Sequence, residues 1–257
     1  MANQQLIHFL DKKADEFNRP SFIPNDPVSI PHRFTKQQDI EIAGFFAALF
    51  AWGNRTTIML KSRELMTLML EAPHDFVLRH QPADLSKLLR FKHRTFNATD
   101  ILYLVEFLHY HYSRHESLEA AFTAGMLPGD DSTENALNGF YQAVFSLEHA
   151  PHRTRKHIAS PAKGSTCKRL NMFLRWMVRH DDQGVDFGVW KKISPAQLVC
   201  PIDVHVARVA ARFGLLTRRQ LDWQAALELT TNLRQLSPKD PVRYDFALFG
   251  LGVDERF

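Results

Sequence analysis

Lys168 is the residue whose type and position best suit nucleophilic chemistry. The sequence predicts a helix over 165–180, with Ser165 or Thr166 as its N-cap. In the first turn of that helix the dipole disfavours a positive charge, and so does the adjacent cation Arg169. Both effects favour the neutral amine, which is the form that attacks an electrophilic carbon. An exposed or phosphate-contacting lysine is the alternative interpretation.

Asp203 is the second candidate for chemistry. It follows Pro201 and opens a predicted amphipathic helix that Gly214 ends, so an N-cap role is the simplest interpretation. A carboxylate beside an amine could also accept its proton or stabilise a developing cation. His205 could be a base, a metal ligand or a structural hydrogen-bonding group. A metal-dependent hydrolase that uses Asp203 and His205 is therefore a further hypothesis, although the sequence has no HExxH pattern.

The positive charge of the chain is concentrated in one segment. Residues 149–180 contain no acidic residue and carry a charge of +8, whereas the whole chain has +4, so the remainder sums to −4. Such a concentration indicates a polyanion-binding site, with a solvated basic face as the alternative. Helical spacing predicts that Arg175 and Arg179 share the polar face with Lys168. The eight cations are Arg153, Arg155, Lys156, Lys163, Lys168, Arg169, Arg175 and Arg179.

The amino-acid composition limits the classes of protein to which the chain can belong. The chain has 257 residues, of which 45% are hydrophobic and 23% charged, and this is typical of a globular protein with a core. Its two cysteines, Cys167 and Cys200, form no CxxC pattern, which favours reduced thiols. The first residues lack the pattern of a signal peptide, and the longest apolar run, about 42–52, is too short to cross a membrane. We therefore expect a soluble cytoplasmic protein.

The periodicity predicts an all-α fold. Apolar residues recur at helical spacing over most of the chain, and alternating strand patterns are hard to find. Four prolines between residues 20 and 31 predict a stretch of extended loop. Besides the helices at 165–180 and after Asp203, predicted helices cover 3–17, 37–52, 56–72, 74–80, 84–90, 98–114, 116–124 and 132–147.

Two segments together resemble the helix-hairpin-helix superfamily of base-excision DNA glycosylases. In that family a hairpin leads into a helix with a catalytic lysine. A later segment has the form (Val/Ile)-Asp-x-His-(Val/Ile)-x-Arg-(Val/Leu), and its aspartate is catalytic. Residues 164–175 are similar to the first segment and residues 201–215 to the second. The resemblance implies that Lys168 is the nucleophile and Asp203 its acidic partner.

Other segments extend the resemblance or depart from it. Residues 46–55 look like an early helix that ends in a base-contacting turn, and residues 244–252 like the late helix that closes the fold. Residues 159–165 replace the hairpin consensus Leu-Pro-Gly-Val-Gly, so the helix-hairpin-helix is degenerate, and the family's four-cysteine cluster is absent. The wide spacing of the lysine and the aspartate is similar to that of the archaeal 8-oxoguanine glycosylase branch. The chain as a whole resembles a bacterial family assigned distantly to the superfamily.

The fold that this resemblance implies has two helical lobes with a cleft between them. We expect residues 38–190 to form the lobe with the hairpin and the lysine helix. Residues 1–37 and 195–257 then form the second, discontinuous lobe, which carries Asp203.

The function implied is that of a DNA glycosylase with associated AP-lyase activity, which excises a damaged base by Schiff-base chemistry at Lys168. The base that the resemblance favours is 8-oxoguanine.

The implied partner is double-stranded DNA with a damaged base, and the protein is expected to be a monomer. No cofactor is expected beyond a monovalent cation that the hairpin could bind. The predicted DNA contacts are Lys163, Gly164, Ser165, Arg169, Arg175, His205 and Arg208. The predicted base contacts are Trp52, Asn54, Arg55, His93, Trp176, Trp190 and Tyr244.

Two questions stay open from the sequence. A non-catalytic nucleic-acid-binding protein that retains the glycosylase fold would have the same basic segment and the same helices. A structured RNA would suit the basic segment as well as DNA does.

Overall fold

The computed structural model describes the chain from Ala2 to Val253, with side chains from Gln4 onward. Over these residues the protein is all helical, as predicted, and no strand forms beyond an isolated bridge between His93 and Phe96. The α-helices are α1 (Ala2–Phe17), α2 (Gln37–Phe50), α3 (Arg55–Leu68), α4 (Pro73–Arg79), α5 (Pro82–Leu88), α6 (Ala98–Tyr112), α7 (Glu119–Thr123), α8 (Glu134–Val144), α9 (Lys168–Val178), α10 (Val204–Arg212), α11 (Trp223–Leu236) and α12 (Tyr244–Val253).

Short 3₁₀ helices connect several of these elements, and most of them begin with proline. The proline-rich stretch predicted as extended loop forms three of them, so that prediction was wrong. Proline fits the first helical position because its fixed φ suits the turn and its missing N–H is not needed there. The 3₁₀ helices are Pro20–Asn25, Pro27–Ser29, Pro31–Arg33, His152–Lys156, Pro161–Lys163, Pro195–Gln197 and Pro241–Arg243.

The described chain divides into two compact units. The first unit comprises the residues up to Pro24, Leu127–Asn135 and the residues from Ser160 onward, and the second comprises Asn25–Met126 and Ala136–Ala159. This grouping differs from the predicted lobes. The lysine helix α9 lies in the same unit as Asp203, rather than in the other lobe.

In the first unit the terminal helices pack closely. Helix α12 lies against both α1 and α10. A Cβ on Gly250 would lie 2.2 Å from the ring of Phe17, and a Cβ on Gly252 would lie 3.1 Å from the carbonyl oxygen of His205. The two glycines therefore allow α12 to approach α1 and the first turn of α10 closely.

The second unit is built around α2, which is buried from Asp39 to Phe50. Its one glutamate, Glu41, is fully buried and accepts hydrogen bonds from Tyr112 Oη at 2.7 Å and from the backbone N–H of Leu118 at 2.9 Å. These bonds satisfy a carboxylate that would otherwise be costly to bury. Aromatic rings fill the surrounding core, among them Phe45, Phe46, Phe50, Phe91, Phe96, Phe107, Phe122 and Phe140.

Candidate active site

Lys168 is the first residue of α9. The chain enters this helix through Cys167, which occupies the N-cap position with a left-handed φ of 52° and without a capping side chain. Ser165 Oγ instead accepts a hydrogen bond from the Cys167 N–H at 3.1 Å. The N-cap prediction for Ser165 or Thr166 was therefore wrong by one or two residues, but Lys168 does lie in the first turn.

Asp203 is the N-cap of α10, as the sequence predicted. Its Oδ1 accepts hydrogen bonds from the backbone N–H groups of His205 at 2.9 Å and Val206 at 3.0 Å. This use of one oxygen fixes the orientation of the carboxylate and leaves Oδ2 for another partner.

That partner is Lys168, whose Nζ lies 2.5 Å from Asp203 Oδ2. The Lys168 side chain is 29% exposed and the Asp203 side chain 22%, so the pair is open to solvent although partly desolvated. Burial by itself raises the pKa of Asp203, but the Lys168 charge and three hydrogen bonds outweigh it and hold that pKa below its usual value. Asp203 is therefore ionised at neutral pH.

The geometry suits proton transfer between an amine and a carboxylate. A lysine can attack an electrophile only after it loses a proton, and Asp203 Oδ2 is within hydrogen-bond reach to take it. The neighbouring Cys167 is no competitor, since burial raises the pKa of its thiol to about 12. A purely structural ion pair would have the same distance, so the geometry defines a candidate site.

Two arginines near the end of this helix are buried, Arg175 within α9 and Arg179 as the residue that follows it. Arg175 contacts Asp186 at 3.2 Å and also pairs with Asp245, and Arg179 pairs with Asp186 at 3.1 Å and Asp240 at 2.9 Å. The predicted DNA contact at Arg175 was therefore wrong, because its guanidinium is enclosed and saturated by carboxylates. These bonds join α9 to α12 and to the loop that carries Asp186.

Asp245 is the residue near the site that sequence reasoning missed. It lies in the first turn of α12 and is buried. Burial raises the pKa of Asp245 to about 6, although Arg175 and, more weakly, Lys168 favour its ionised form. The signal available in the sequence was an acidic residue within an otherwise apolar helix, which requires a buried cation as its partner.

The other predicted DNA contacts lie at or near the surface of the first unit. Lys163 and Gly164 are exposed, and Gly164 adopts a left-handed φ of 71° that ends the short 3₁₀ turn. Ser165 and Arg169 are half-buried, and burial lowers the pKa of the Arg169 guanidinium. His205 and Arg208 are exposed on α10, where Arg208 also donates to the carbonyl oxygen of Gly252 at 2.9 Å.

Four of the predicted base contacts are buried, and these predictions were wrong. The rings of Trp176 and Trp190 are enclosed in the core of the first unit, and Tyr244 is buried with its hydroxyl donating to Asp11 at 2.9 Å. His93 is buried in the second unit, with Nε2 bonded to the carbonyl oxygen of Phe50 at 3.2 Å. Enclosed rings cannot stack on a base that enters from solvent.

The remaining predicted base contacts lie at the turn between α2 and α3, in the second unit. Trp52 is 36% exposed, and Asn54 caps α3 by accepting from the Thr57 N–H at 3.0 Å. Arg55 is half-buried in the first position of α3. These three side chains remain candidates for a nucleic-acid contact.

Four carbonyl oxygens of the degenerate hairpin accept hydrogen bonds from within the turn or from α9. The carbonyl oxygens of Ser160 and Pro161 accept the backbone bonds that close its turn, at 3.1 and 2.8 Å. The carbonyl oxygen of Thr166 accepts from Asn171 Nδ2 at 3.0 Å, and that of Ser165 faces Cys167 Sγ at 3.5 Å. Each of these oxygens keeps a second lone pair, and the proposed chemistry uses no bound cation. Over residues 2–253, no cluster of three or more His, Cys, Asp or Glu residues suits a metal ion.

The fold and the site define an all-α protein with a lysine–aspartate pair at the beginnings of two helices. A family model described as a protein of unknown function (DUF2400) matches residues 26–254, and the chain belongs to this family. No curated protein and no solved structure matches the chain. None of the helices in the part of the chain that the structure describes has the length and apolar character needed to cross a bilayer.

Proposed function

We propose that this protein is a DNA glycosylase with associated AP-lyase activity, with Lys168 as nucleophile and Asp203 as its proton acceptor. The observation that carries the proposal is the 2.5 Å contact between Lys168 Nζ and Asp203 Oδ2. The resemblance of residues 164–175 and 201–215 to helix-hairpin-helix DNA glycosylases supports the same roles.

The reaction begins with a proton transfer. The Lys168 ammonium gives a proton to Asp203 Oδ2, and the neutral amine attacks C1′ of a nucleotide that has been flipped out of the stack. The N–C1′ bond forms while the glycosidic bond breaks, and the base leaves with the electron pair of that bond and takes up a proton. The Asp203 carboxylate is also placed to stabilise positive charge that develops on the sugar.

The covalent intermediate accounts for the lyase activity. Opening of the sugar ring converts the Lys168 adduct into a Schiff base. Loss of a C2′ proton then breaks the C3′–O bond, and the 3′ phosphate leaves. Only an amine nucleophile gives this imine, so strand cleavage follows from lysine and would not follow from a water-activating aspartate alone.

Borohydride trapping tests the proposal, because borohydride reduces the Schiff base to a stable amine. The substrates are duplexes that contain 8-oxoguanine, another oxidised base or an abasic site. We expect a covalent protein–DNA product with wild-type protein, its loss in Lys168→Gln, and its retention in the control Lys239→Gln, which changes an exposed lysine of the same unit.

The same experiment distinguishes the glycosylase from the second candidate function, which is nucleic-acid binding without catalysis. If wild-type protein binds these duplexes but gives no trapped product on any of them, the protein is a non-catalytic nucleic-acid-binding protein. If Lys168→Gln still forms the product, another residue is the nucleophile and the assignment of Lys168 is refuted.

A further inference from the structure

A group of unpaired cations lies on the surface of the second unit, outside the basic segment at 149–180. Residues 85–99 contain four lysines and arginines and no acidic residue. Three of these cations, Arg90, Lys92 and Arg94, are exposed. Among the residues that the structure describes, none of the three has a carboxylate partner within ion-pairing distance. We call Arg90, Lys92 and Arg94 the cation cluster.

The backbone under the cation cluster is held to the end of α2. The ring of Phe91 stacks on that of Phe50 at 5.6 Å, and the ring of Phe96 meets Phe50 edge-on at 5.0 Å. His93 and Phe96 exchange two backbone hydrogen bonds, and His93 Nε2 donates to the Phe50 carbonyl oxygen at 3.2 Å. Because Phe91, His93 and Phe96 are buried, Lys92 and Arg94 remain on the solvent side.

Arg94 is positioned more tightly than an ordinary surface arginine. Its guanidinium lies 4.0 Å from the centre of the Trp52 ring, and its backbone has a left-handed φ of 52°. Gly53 makes room for it, since a Cβ at that position would lie 2.4 Å from Arg94 Nη1. An arginine stacked on an aromatic ring keeps the N–H groups at its edge available for an oxyanion.

The basic segment differs from the cation cluster in this respect. Arg175 and Arg179 are buried among carboxylates, and Arg153 pairs with Asp100. Several cations of the most basic segment are therefore neutralised by carboxylates of the protein itself. Within residues 4–253 the cation cluster has no such carboxylate partner, so its charge is available to an external polyanion.

We propose that the cation cluster, with Arg94 held on Trp52, binds phosphate groups of a DNA strand. Arginine donates two parallel hydrogen bonds to phosphate, and lysine adds a mobile positive charge. Contacts of this kind fix a protein on the polymer without reading its sequence. The choice of DNA as the polymer rests on the proposed function, whereas the presence of an anion-binding surface does not.

The salt dependence of binding tests this proposal. Fluorescence anisotropy with a labelled 20-base-pair duplex would be measured over a range of salt concentrations. The variant is the triple substitution Arg90→Ala, Lys92→Ala and Arg94→Ala. Since each lost phosphate contact lowers the salt slope by about 0.9, we expect the slope to fall by roughly 2 to 3 and the affinity at low salt to fall at least about tenfold.

A matched control removes the same charge elsewhere. The triple substitution Lys36→Ala, Arg63→Ala and Arg114→Ala changes three exposed cations of the same unit, and Arg114 is stacked on Tyr110 much as Arg94 is on Trp52. We expect its salt slope to stay within about one unit of the wild-type slope, since only the long-range field changes. Thermal melting shows whether both variants are folded.

Four results would overturn the proposal. The first two are an unchanged salt slope in the first variant and an equal fall of the slope in the control. The other two are no DNA binding by wild-type protein, and a fall of affinity for phosphatidylserine vesicles without a fall of affinity for DNA. The last result would assign the surface to an anionic membrane. Failure of the proposed function would give a different result from failure of this inference. A wild-type protein whose slope depends on the cation cluster but which gives no trapped product refutes the lysine chemistry alone.

Discussion

Lys168 Nζ and Asp203 Oδ2 lie 2.5 Å apart, although the two residues are 35 positions apart in the chain. Each residue lies at the beginning of its own helix, so a single carboxylate receives two backbone N–H groups of α10 and the ammonium of α9. Asp203 therefore has two separable roles, as a helix cap and as the partner of the amine. Substitutions can remove one role at a time.

Asp203→Asn should keep the cap and lose the proton acceptor. Asparagine caps helices about as well as aspartate, so we expect the free energy of unfolding to change by no more than about 1 kcal/mol. Loss of a general base should slow formation of the trapped product by roughly 10²- to 10⁴-fold. Single-turnover trapping kinetics and thermal melting measure the two effects. Equal rates for Asp203→Asn and wild type would show that Asp203 is a cap only.

The Arg175→Ala variant should be strongly destabilised. It leaves Asp186 without its Arg175 bond and Asp245 without its cation, both in a buried setting. Breaking a buried ion pair by removing one partner costs about 3–5 kcal/mol. Denaturant unfolding measures this cost, and Lys239→Ala, an exposed change, should stay within about 0.5 kcal/mol of wild type. A small effect of Arg175→Ala would restore the interpretation of Arg175 as a surface contact.

The helical pattern could be predicted from the sequence, whereas the partners of the polar face could not. Asp203 and the apolar stripe of α10 are local features, and the structure confirms that cap. On α9 the same spacing rule placed Arg175 on a solvated face, but its partners Asp186 and Asp245 lie 11 and 70 residues away in sequence. A helical repeat separates polar from apolar positions, and it contains no information on whether the polar ones face water or a carboxylate.

Asp100 should make the second unit sensitive to acid. Burial by itself raises the pKa of Asp100, but the His157 ring, whose Nε2 lies 3.3 Å away, and hydrogen bonds from the Asn97 backbone and Thr154 bring it down to about 2. A carboxyl with a depressed pKa stabilises the fold above its unfolded value of 3.8, and this contribution is lost as the pH falls towards 2. The shift in the pKa of Asp100 corresponds to about 2 kcal/mol of folding stability at neutral pH.

The measurement for Asp100 is the melting temperature between pH 2 and pH 7. We expect Asp100→Asn to be less stable than wild type at pH 7, and the difference to shrink as the pH falls from 4 to 2. A difference in melting temperature that is constant over this range would mean that the negative charge of Asp100 does not stabilise the fold.

Gly250→Ala should weaken the contact of α12 with α1. The added Cβ would lie 2.2 Å from the ring of Phe17, so the ring or the helix must move. Overpacking of this kind costs about 1–3 kcal/mol. In a Phe17→Ala background the ring is absent, and we expect most of the cost of Gly250→Ala to disappear. A double-mutant cycle by chemical denaturation measures this coupling, and additive effects would show that the two residues are independent.

The most direct test of the lysine chemistry is the location of the trapped adduct. Wild-type protein would be reduced with borohydride on DNA that contains an abasic site, digested, and examined by peptide mass spectrometry. We predict that the sugar remnant is attached to Lys168 Nζ, and that Lys168→Gln carries no remnant. A remnant on any other lysine, or none on wild-type protein, would contradict the assignment of Lys168 as the nucleophile.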